Sequence, residues 1–193
     1  MNNFTGDINS DCCILESYLD QIEFYAGTER RTGQFKTVKI PKGCGSMLYG
    51  VTWKSYLKKD DNGDNVYRTK DEESGLYFTK VRDLYPELDE IFKEFGSYHF
   101  PEFKFEQVQL NKNYKCTRHI DSSNIGESIL LTLGDFEGGK TIIEKEGEEI
   151  VADSHNSPYK FNGSKYYHRT NDFTGTRYAL VFFTNTKVKK TQI

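Results

Sequence analysis

The chain has 193 residues and a formal net charge of −3, and 36% of its residues are hydrophobic. That length suits one domain, and 13 Tyr and 14 Phe provide material for a core and a lined pocket. The acidic balance argues against a large, non-specific nucleic-acid footprint. The sequence shows no signal-like N-terminal region, no apolar run of membrane length and no cysteine spacing typical of zinc sites. We therefore expect a reducing compartment, cytoplasm or nucleus, and no membrane contact.

The first predicted element is a helix over residues 10–26. Its apolar residues recur at helical spacing, Ser10 is the expected N-cap, and Gly27 is expected to end the helix. The segment 28–75 that follows contains the polar stretch KKDDNGDNVYRTKDEE. We interpret this stretch as a surface loop or a long hairpin, and we expect residues 28–75 as a whole to cover the substrate side of the pocket.

A second helical stripe covers residues 76–95, where Pro86 is expected to begin a fresh helix and Gly96 to end it. The periodicity then changes to that of strands, which we predict at 103–110, 128–133, 140–143, 149–151, 166–168 and 177–183. Helices followed by many short strands predict a mainly β protein with N-terminal helices (α+β), built as a β-sandwich or jelly roll. We expect one domain over 1–193, with a helical and loop-rich part at 1–98 and a β core at 99–186.

The residues with the clearest chemical meaning are His119, Asp121, His168 and Arg177. In a strand, residues i and i+2 point to the same face, so His119 and Asp121 can aim at one point. Two imidazoles and a carboxylate with open positions form the facial triad of non-haem Fe(II) oxygenases. A guanidinium nearby can hold a carboxylate through two parallel hydrogen bonds.

The spacing of His168 and Arg177 predicts how they meet. If residues 171–175 form the turn of a simple hairpin, His168 lies directly opposite Arg177, with Cβ atoms about 5 Å apart. The guanidinium would then stand beside a metal bound to His168.

Two other histidines and one motif compete with this interpretation. His99 and His155 lack an arginine at a comparable position, and we expect both to be structural or surface residues. Residues 134–141 match the phosphate-binding pattern GxxxxGK[ST], but β-branched residues and Gly147 follow where that motif requires a helix. We interpret this stretch as a turn between strands.

The pattern HxD…H…R resembles that of the Fe(II)/2-oxoglutarate-dependent dioxygenases, over roughly residues 100–185. Within that superfamily, the stretches 111–139 and 175–183 look closer to the nucleobase hydroxylases of the TET and J-base type. The resemblance implies a double-stranded β-helix fold. It also implies that Fe(II) binds His119, Asp121 and His168, that 2-oxoglutarate binds Arg177, and that O2 takes the remaining position.

The resemblance also implies roles for two asparagines and a class of substrate. Asn111 would lie near 2-oxoglutarate, and Asn124 would either contact the target base or serve as a turn residue. The aspartate at 121, where a glycine would open a halide site, favours hydroxylation over halogenation. The expected substrate is a methylated or plain pyrimidine base in nucleic acid, flipped out if it lies in a duplex. The alternatives are a protein or peptide side chain, as in prolyl hydroxylases, and a non-catalytic β-sandwich binding module.

Overall fold

The computed structural model describes residues 4–24, 43–54, 57–59, 65–67 and 75–186. Their helices are α1 (Ile8–Leu19), α2 (Lys80–Leu84) and α3 (Leu88–His99). Their strands are β1 (Gly45–Lys54), β2 (Leu57–Lys59), β3 (Asn65–Tyr67), β4 (Gly75–Phe78), β5 (Gln107–Lys112), β6 (Ser128–Leu133), β7 (Phe136–Gly138), β8 (Thr141–Lys145), β9 (Glu148–Ala152), β10 (Tyr159–Phe161), β11 (Tyr167–Thr170), β12 (Phe173–Gly175) and β13 (Tyr178–Phe183). None of these helices is long and apolar enough to cross a membrane.

Helix α1 begins earlier than predicted. Asp7 is the N-cap, and its carboxylate accepts a hydrogen bond of 2.8 Å from the backbone N–H of Ser10. The prediction of Ser10 as the N-cap was wrong because Asp7 caps the helix three residues earlier, which places Ser10 inside the first turn. The helix ends at Leu19, and the predicted stop at Gly27 lies outside the described residues.

The predicted helix over 76–95 is three elements. Its first residues belong to β4, which pairs with β1, and Pro86 separates α2 from α3 as predicted. Gly96 does not end α3, which continues to His99. A Cβ at Gly96 would come within 2.9 Å of the Phe100 ring and 3.2 Å of the Phe105 ring. Close aromatic packing, rather than a helix stop, explains this glycine.

The strands form two layers. The major sheet has six strands in the order β10-β6-β13-β5-β1-β4, and the facing sheet has the order β11-β8-β9. Strands β7 and β12 form a small pair, and so do β2 and β3. The β2–β3 pairing confirms a hairpin in the polar stretch after residue 57. Strands β1 and β4 precede residue 98, so the N-terminal part contributes a third of the major sheet.

Alternation along the major sheet separates a core from a cavity. One face carries Val108 and Leu110 of β5 with Leu180 and Phe182 of β13, all buried in a cluster that includes residues of α1 and α3. The Phe92 ring of α3 meets the Phe182 ring edge-on at 5.9 Å between centroids. The other face looks toward the smaller sheet. The helices therefore bury one side of the sheet and leave the other for a site between the layers.

The predicted hairpin between His168 and Arg177 is wrong. Strand β11 pairs with β8, which sets His168 opposite Ile143, and β13 pairs with β5 and β6 in the other layer. Between them, β12 pairs with β7. The chain crosses from one layer to the other because each strand finds long-range partners that bury it on both faces, which a local hairpin would not provide.

Candidate metal centre

His119 and His168 are brought together by a backbone bridge. Each donates its N–H to the carbonyl of the other at 3.0 Å, and the two imidazole centroids are 4.2 Å apart. His119 lies in an irregular segment and not in a regular strand. A second long-range bond, from Asp121 N to Gly163 O at 2.9 Å, holds the carboxylate residue beside them. Three side chains from two separate segments of the chain therefore converge.

Hydrogen bonds also fix which ring nitrogen each histidine presents. His119 Nδ1 lies 2.6 Å from Thr117 O, and His168 Nδ1 lies 3.0 Å from Tyr166 O. A carbonyl oxygen only accepts, so Nδ1 must carry the hydrogen in both rings. Each neutral imidazole then presents the lone pair of Nε2, which is how a second hydrogen bond orients a metal-ligating histidine.

The donor atoms have the spacing of a metal site. His119 Nε2 lies 3.8 Å from one oxygen of Asp121, and His168 Nε2 lies 3.6 Å from the other. These distances exceed a hydrogen bond. They fit a shared ion, because ligand bonds of about 2.0–2.2 Å place neighbouring donors roughly 3–4 Å apart. Within the described residues, His119, Asp121 and His168 form the cluster of possible metal ligands, and their ligand atoms all lie within 4.8 Å of one another. The residues fit Fe(II).

Gly163 packs against two of these side chains. A Cβ at this position would lie 3.4 Å from Asp121 Oδ2, 3.5 Å from His168 Cε1 and 3.3 Å from the Phe161 ring. The Phe161 ring in turn meets the His168 ring edge-on at 5.1 Å between centroids. This contact layer holds the imidazole and the carboxylate from one side and leaves the other side to the cavity.

Arg177 is a buried cation that no described carboxylate pairs with. The residue is 2% exposed, and its Nε has no hydrogen-bond partner. Its guanidinium lies between the rings of Phe136 and Phe173, 5.5 and 5.6 Å from their centroids. Burial lowers the pKa of Arg177 to about 10, so the group is still charged at neutral pH. A desolvated cation of this kind is a site for an anionic ligand.

Gly139 provides the space that Arg177 occupies. A Cβ there would lie 2.8 Å from Arg177 Cδ and 2.9 Å from Nε, and the φ of Gly139 is +62°. We expect Gly139→Ala to weaken carboxylate binding about tenfold or more, because the added methyl displaces the guanidinium. The measurement is titration of the protein with 2-oxoglutarate.

Gly147→Ala is the matched control for Gly139→Ala. Gly147 also has positive φ, +88°, but nothing lies within 4 Å of its Cβ position. Both variants carry backbone strain of roughly 1–2 kcal/mol, and only the first should change ligand affinity. Equal losses of affinity would contradict the proposed contact.

One cavity joins these groups. It has a volume of about 570 Å³, including its open mouth, and His119, Asp121, His168 and Arg177 all line it. Arg177 and His168 line this cavity from facing layers rather than from the expected hairpin. The role of Arg177 toward a ligand stays a prediction.

The predicted asparagines lie in different places. Asn111 lines the cavity, is 6% exposed, and donates from Nδ2 to Ala179 O at 3.4 Å. Asn124 is 8% exposed, donates its N–H to Asp121 O at 2.8 Å and does not line the cavity. This bond is typical of a turn, which favours the turn alternative for Asn124.

The competing histidines lie away from the triad. His99 Nε2 contacts Asp11 Oδ2 at 2.8 Å in the buried interface between α1 and α3. His155 is exposed, and its Nε2 contacts Gly134 O at 3.1 Å. Residues 134–141 lead into strand β8, so this stretch lacks the helix that a phosphate-binding loop requires.

Sequence reasoning missed Gln109, Thr141 and Thr170, which also line the cavity. The available signal was the pattern of β5, where buried Gln107, Gln109 and Asn111 alternate with buried apolar residues. Polar amides on one face of a strand that is buried on both faces indicate a lined pocket rather than a core.

No protein-family model and no curated protein matches the sequence. Among solved structures, NgTET1 in complex with 5mC DNA aligns over 76% of this chain at 14% identity, with a TM-score of 0.51, and the chain spans 62% of that protein. A 2OG-Fe(II) oxygenase family oxidoreductase from Burkholderia pseudomallei aligns over 69% of this chain and 68% of its own, at 17% identity and a TM-score of 0.39. A Pseudomonas putida prolyl-4-hydroxylase aligns over 94% and 88%, at 13% identity and a TM-score of 0.44.

These likenesses concern the fold. The similarity to NgTET1, together with the two-layer antiparallel architecture, identifies a jelly roll of the double-stranded β-helix type, as found in 2OG/Fe(II) oxygenases. The predicted fold class is confirmed.

Proposed function

We propose that this protein is an Fe(II)- and 2-oxoglutarate-dependent dioxygenase that hydroxylates a C–H bond. One observation carries the proposal: a two-histidine, one-carboxylate cluster and a buried guanidinium that no described carboxylate pairs with line the same cavity. Either feature alone would also fit a purely structural role. Together they provide a metal site and, at the same cavity, a site for the carboxylate of a second small molecule.

The chain's own residues would hold and orient the reactants. His119, Asp121 and His168 would hold iron through two Nε2 atoms and a carboxylate, leaving the cavity side open. When bound, iron supplies the dioxygen chemistry that converts 2-oxoglutarate to succinate and carbon dioxide and inserts one oxygen atom into a C–H bond. Arg177 would bind the distal carboxylate of 2-oxoglutarate. Burial strengthens that contact because little water competes for the guanidinium.

We further propose that the substrate is a pyrimidine base in nucleic acid. The cavity wall combines apolar side chains, among them Phe161, Phe183 and Val181, with the carboxamides of Gln109 and Asn111. Flat apolar walls and a few amide groups suit a base that has been flipped out of a strand. NgTET1, whose fold is similar, was solved in complex with 5mC DNA, and this supports the same class of substrate here.

The test has two stages. Anaerobic Fe(II) plus 2-oxoglutarate should give a weak visible absorption band with the wild-type protein, and admission of air should yield succinate. Oligonucleotides and proline-containing peptides are then supplied separately and examined by mass spectrometry. No band and no succinate would overturn the oxygenase proposal. A hydroxylated peptide beside unchanged oligonucleotides would overturn the nucleobase substrate and favour the prolyl-type alternative.

A further inference from the structure

The strand register orders the cavity along its length. On the inner face of β13 and the residue before it, Arg177, Ala179, Val181 and Phe183 follow one another at every second position. Ala179 pairs with Asn111 of β5, and Val181 pairs with Gln109. Successive rows are about 6.7 Å apart. Asn111 therefore lies one row from the guanidinium residue and Gln109 lies two rows from it.

In the facing layer, the residues that line the cavity also follow one another in rows that start beside Arg177. Gly139 contacts Arg177, Thr141 of β8 pairs with Thr170 of β11, and His168 lies two residues before Thr170. Counted in rows along the cavity from Arg177, the proposed metal ligand His168 in one layer and Gln109 in the other are therefore about equally distant. A 2-oxoglutarate molecule held between Arg177 and the metal would pass the threonine row and Asn111. Gln109 would remain outside its reach and would face the space left for the substrate.

The hydrogen bonds of Gln109 leave its side-chain oxygen, Oε1, available to a ligand. Its Nε2 donates to Met47 O at 2.8 Å and to Ser46 Oγ at 3.0 Å. The Met47 carbonyl can only accept, so the amide nitrogen must face β1 and both of its hydrogens are used. The remaining polar atom, Oε1, is an acceptor. Gln109 is 7% exposed and lines the cavity, so this acceptor is fixed in orientation and sheltered from bulk water.

The same sheet face carries every unsatisfied buried side-chain atom found in the described residues. Four such atoms have no hydrogen-bond partner: Gln107 Oε1, Asn111 Oδ1, Ser128 Oγ and Arg177 Nε. By the alternation of their strands, all four residues are on the cavity side rather than the helix side. Unsatisfied buried groups are costly, and a polar ligand in the cavity would supply the missing partners of Asn111 and Arg177, which line it. Two of the four are carboxamide oxygens, which require N–H or O–H donors.

We infer that Gln109 is a specificity-determining residue that accepts a hydrogen bond from the exocyclic amino group of the target base. The inference rests on the proposed function and narrows its substrate to a cytosine-type base rather than a thymine-type base. The 4-amino group of cytosine donates to an acceptor, whereas the 4-oxo group of thymine presents an acceptor to it. Oε1 facing the 4-oxo group would leave both oxygens without a donor, which disfavours thymine.

The walls around Gln109 agree with a flat, weakly polar ligand. Val181 lies beside Gln109 in the sheet, and Leu130 lies beside Val181. In the next row, Phe183 and Phe161 line the cavity. Aliphatic and aromatic surfaces bind the faces of a base without distinguishing one base from another. Discrimination then depends on the polar atom at the edge, which is Gln109 Oε1.

The experiment compares two single-stranded oligonucleotides that differ at one position, 5-methylcytosine or thymine. Succinate release and hydroxylated base are measured with wild type, Gln109→Leu and Ser46→Ala. We expect wild type to convert 5-methylcytosine at least about tenfold faster than thymine. Gln109→Leu should reduce that ratio to near one, because it removes the acceptor. Ser46→Ala keeps the carboxamide and removes one of its two anchors, so the ratio should fall partway.

Gln21→Leu is the matched control, because Gln21 is exposed at the end of α1 and its side chain bonds only Ser17 O. The ratio of 5-methylcytosine to thymine conversion in Gln21→Leu should equal that of wild type. If Gln109→Leu does not fold, the partial loss in Ser46→Ala still tests the inference. The role of Gln109 would be overturned if wild type preferred thymine, or if neither Gln109→Leu nor Ser46→Ala changed the ratio of 5-methylcytosine to thymine conversion. In either case, succinate formation by wild type would still support the oxygenase proposal. A wild-type protein that forms no succinate from 2-oxoglutarate would overturn both.

Discussion

Replacing His119 with alanine should reduce Fe(II) affinity by at least about 100-fold, and turnover of 2-oxoglutarate to succinate should fall with it. Loss of groups that merely support a ligand typically costs 10–100-fold in metal affinity, and His119 would be a ligand itself. The change should leave the fold intact, because 32% of the His119 side chain is exposed and its backbone bridge to His168 does not depend on the ring. Anaerobic titration with Fe(II) and a succinate assay are the measurements.

His155→Ala is the matched control for His119→Ala. Both imidazoles are at least partly exposed, and in each one ring nitrogen contacts a backbone carbonyl, Thr117 O for His119 and Gly134 O for His155. His155 has no carboxylate within salt-bridge distance among the described residues. Equal loss of Fe(II) affinity in the two variants, or unchanged affinity in His119→Ala, would contradict the metal assignment.

The triad could be predicted from sequence because part of its chemistry is local. His119 and Asp121 are two residues apart, and the number of candidate partners was small in a chain with four histidines. Their convergence on His168 depends on a backbone bridge between segments 49 residues apart. Residue types indicated the metal site, but local spacing did not indicate the contacts that assemble it.

Arg177 lines the same cavity as the triad although the geometry predicted for it is wrong. The predicted hairpin would have set it beside His168 in one sheet, whereas the two residues lie in facing layers. Turn residues 171–175 allow a hairpin, and nothing in that short segment reveals that β8 and β5 are better partners. The places of Gln109 in the cavity lining and of Gly139 beside Arg177 could not be predicted for the same reason, since each depends on a residue brought near by sheet register.

Replacing Arg177 with methionine should separate ligand binding from stability. We expect 2-oxoglutarate affinity to fall at least about 100-fold, because an uncharged thioether cannot hold a carboxylate in a water-poor cavity. The ligand-free protein should unfold at the same temperature as wild type or a higher one. Methionine keeps most of the apolar packing against Phe136 and Phe173, and it removes a buried charge that no described carboxylate pairs with.

The sign of the stability effect follows from the pKa of Arg177. Burial lowers it from its usual value to about 10, so the unfolded chain holds this proton more tightly than the folded one. Below pH 10 both states are charged and the folded state bears the full cost of the buried charge. That cost declines as the pH rises above about 10, where the folded state begins to lose this proton before the unfolded state does. At neutral pH the charge therefore opposes folding, and bound 2-oxoglutarate would offset its cost.

Thermal unfolding with and without 2-oxoglutarate measures both expected effects of Arg177→Met, on ligand binding and on stability. Wild type should gain stability as ligand concentration exceeds the dissociation constant, and Arg177→Met should not. Arg118→Met is the control, because Arg118 is exposed and paired with Glu144 at 2.6 Å. It should keep the gain with ligand and change the unfolding temperature little. A ligand-free Arg177→Met protein much less stable than wild type would indicate that Arg177 supports the fold. Arg177 would then not form a site preorganised around an anionic co-substrate.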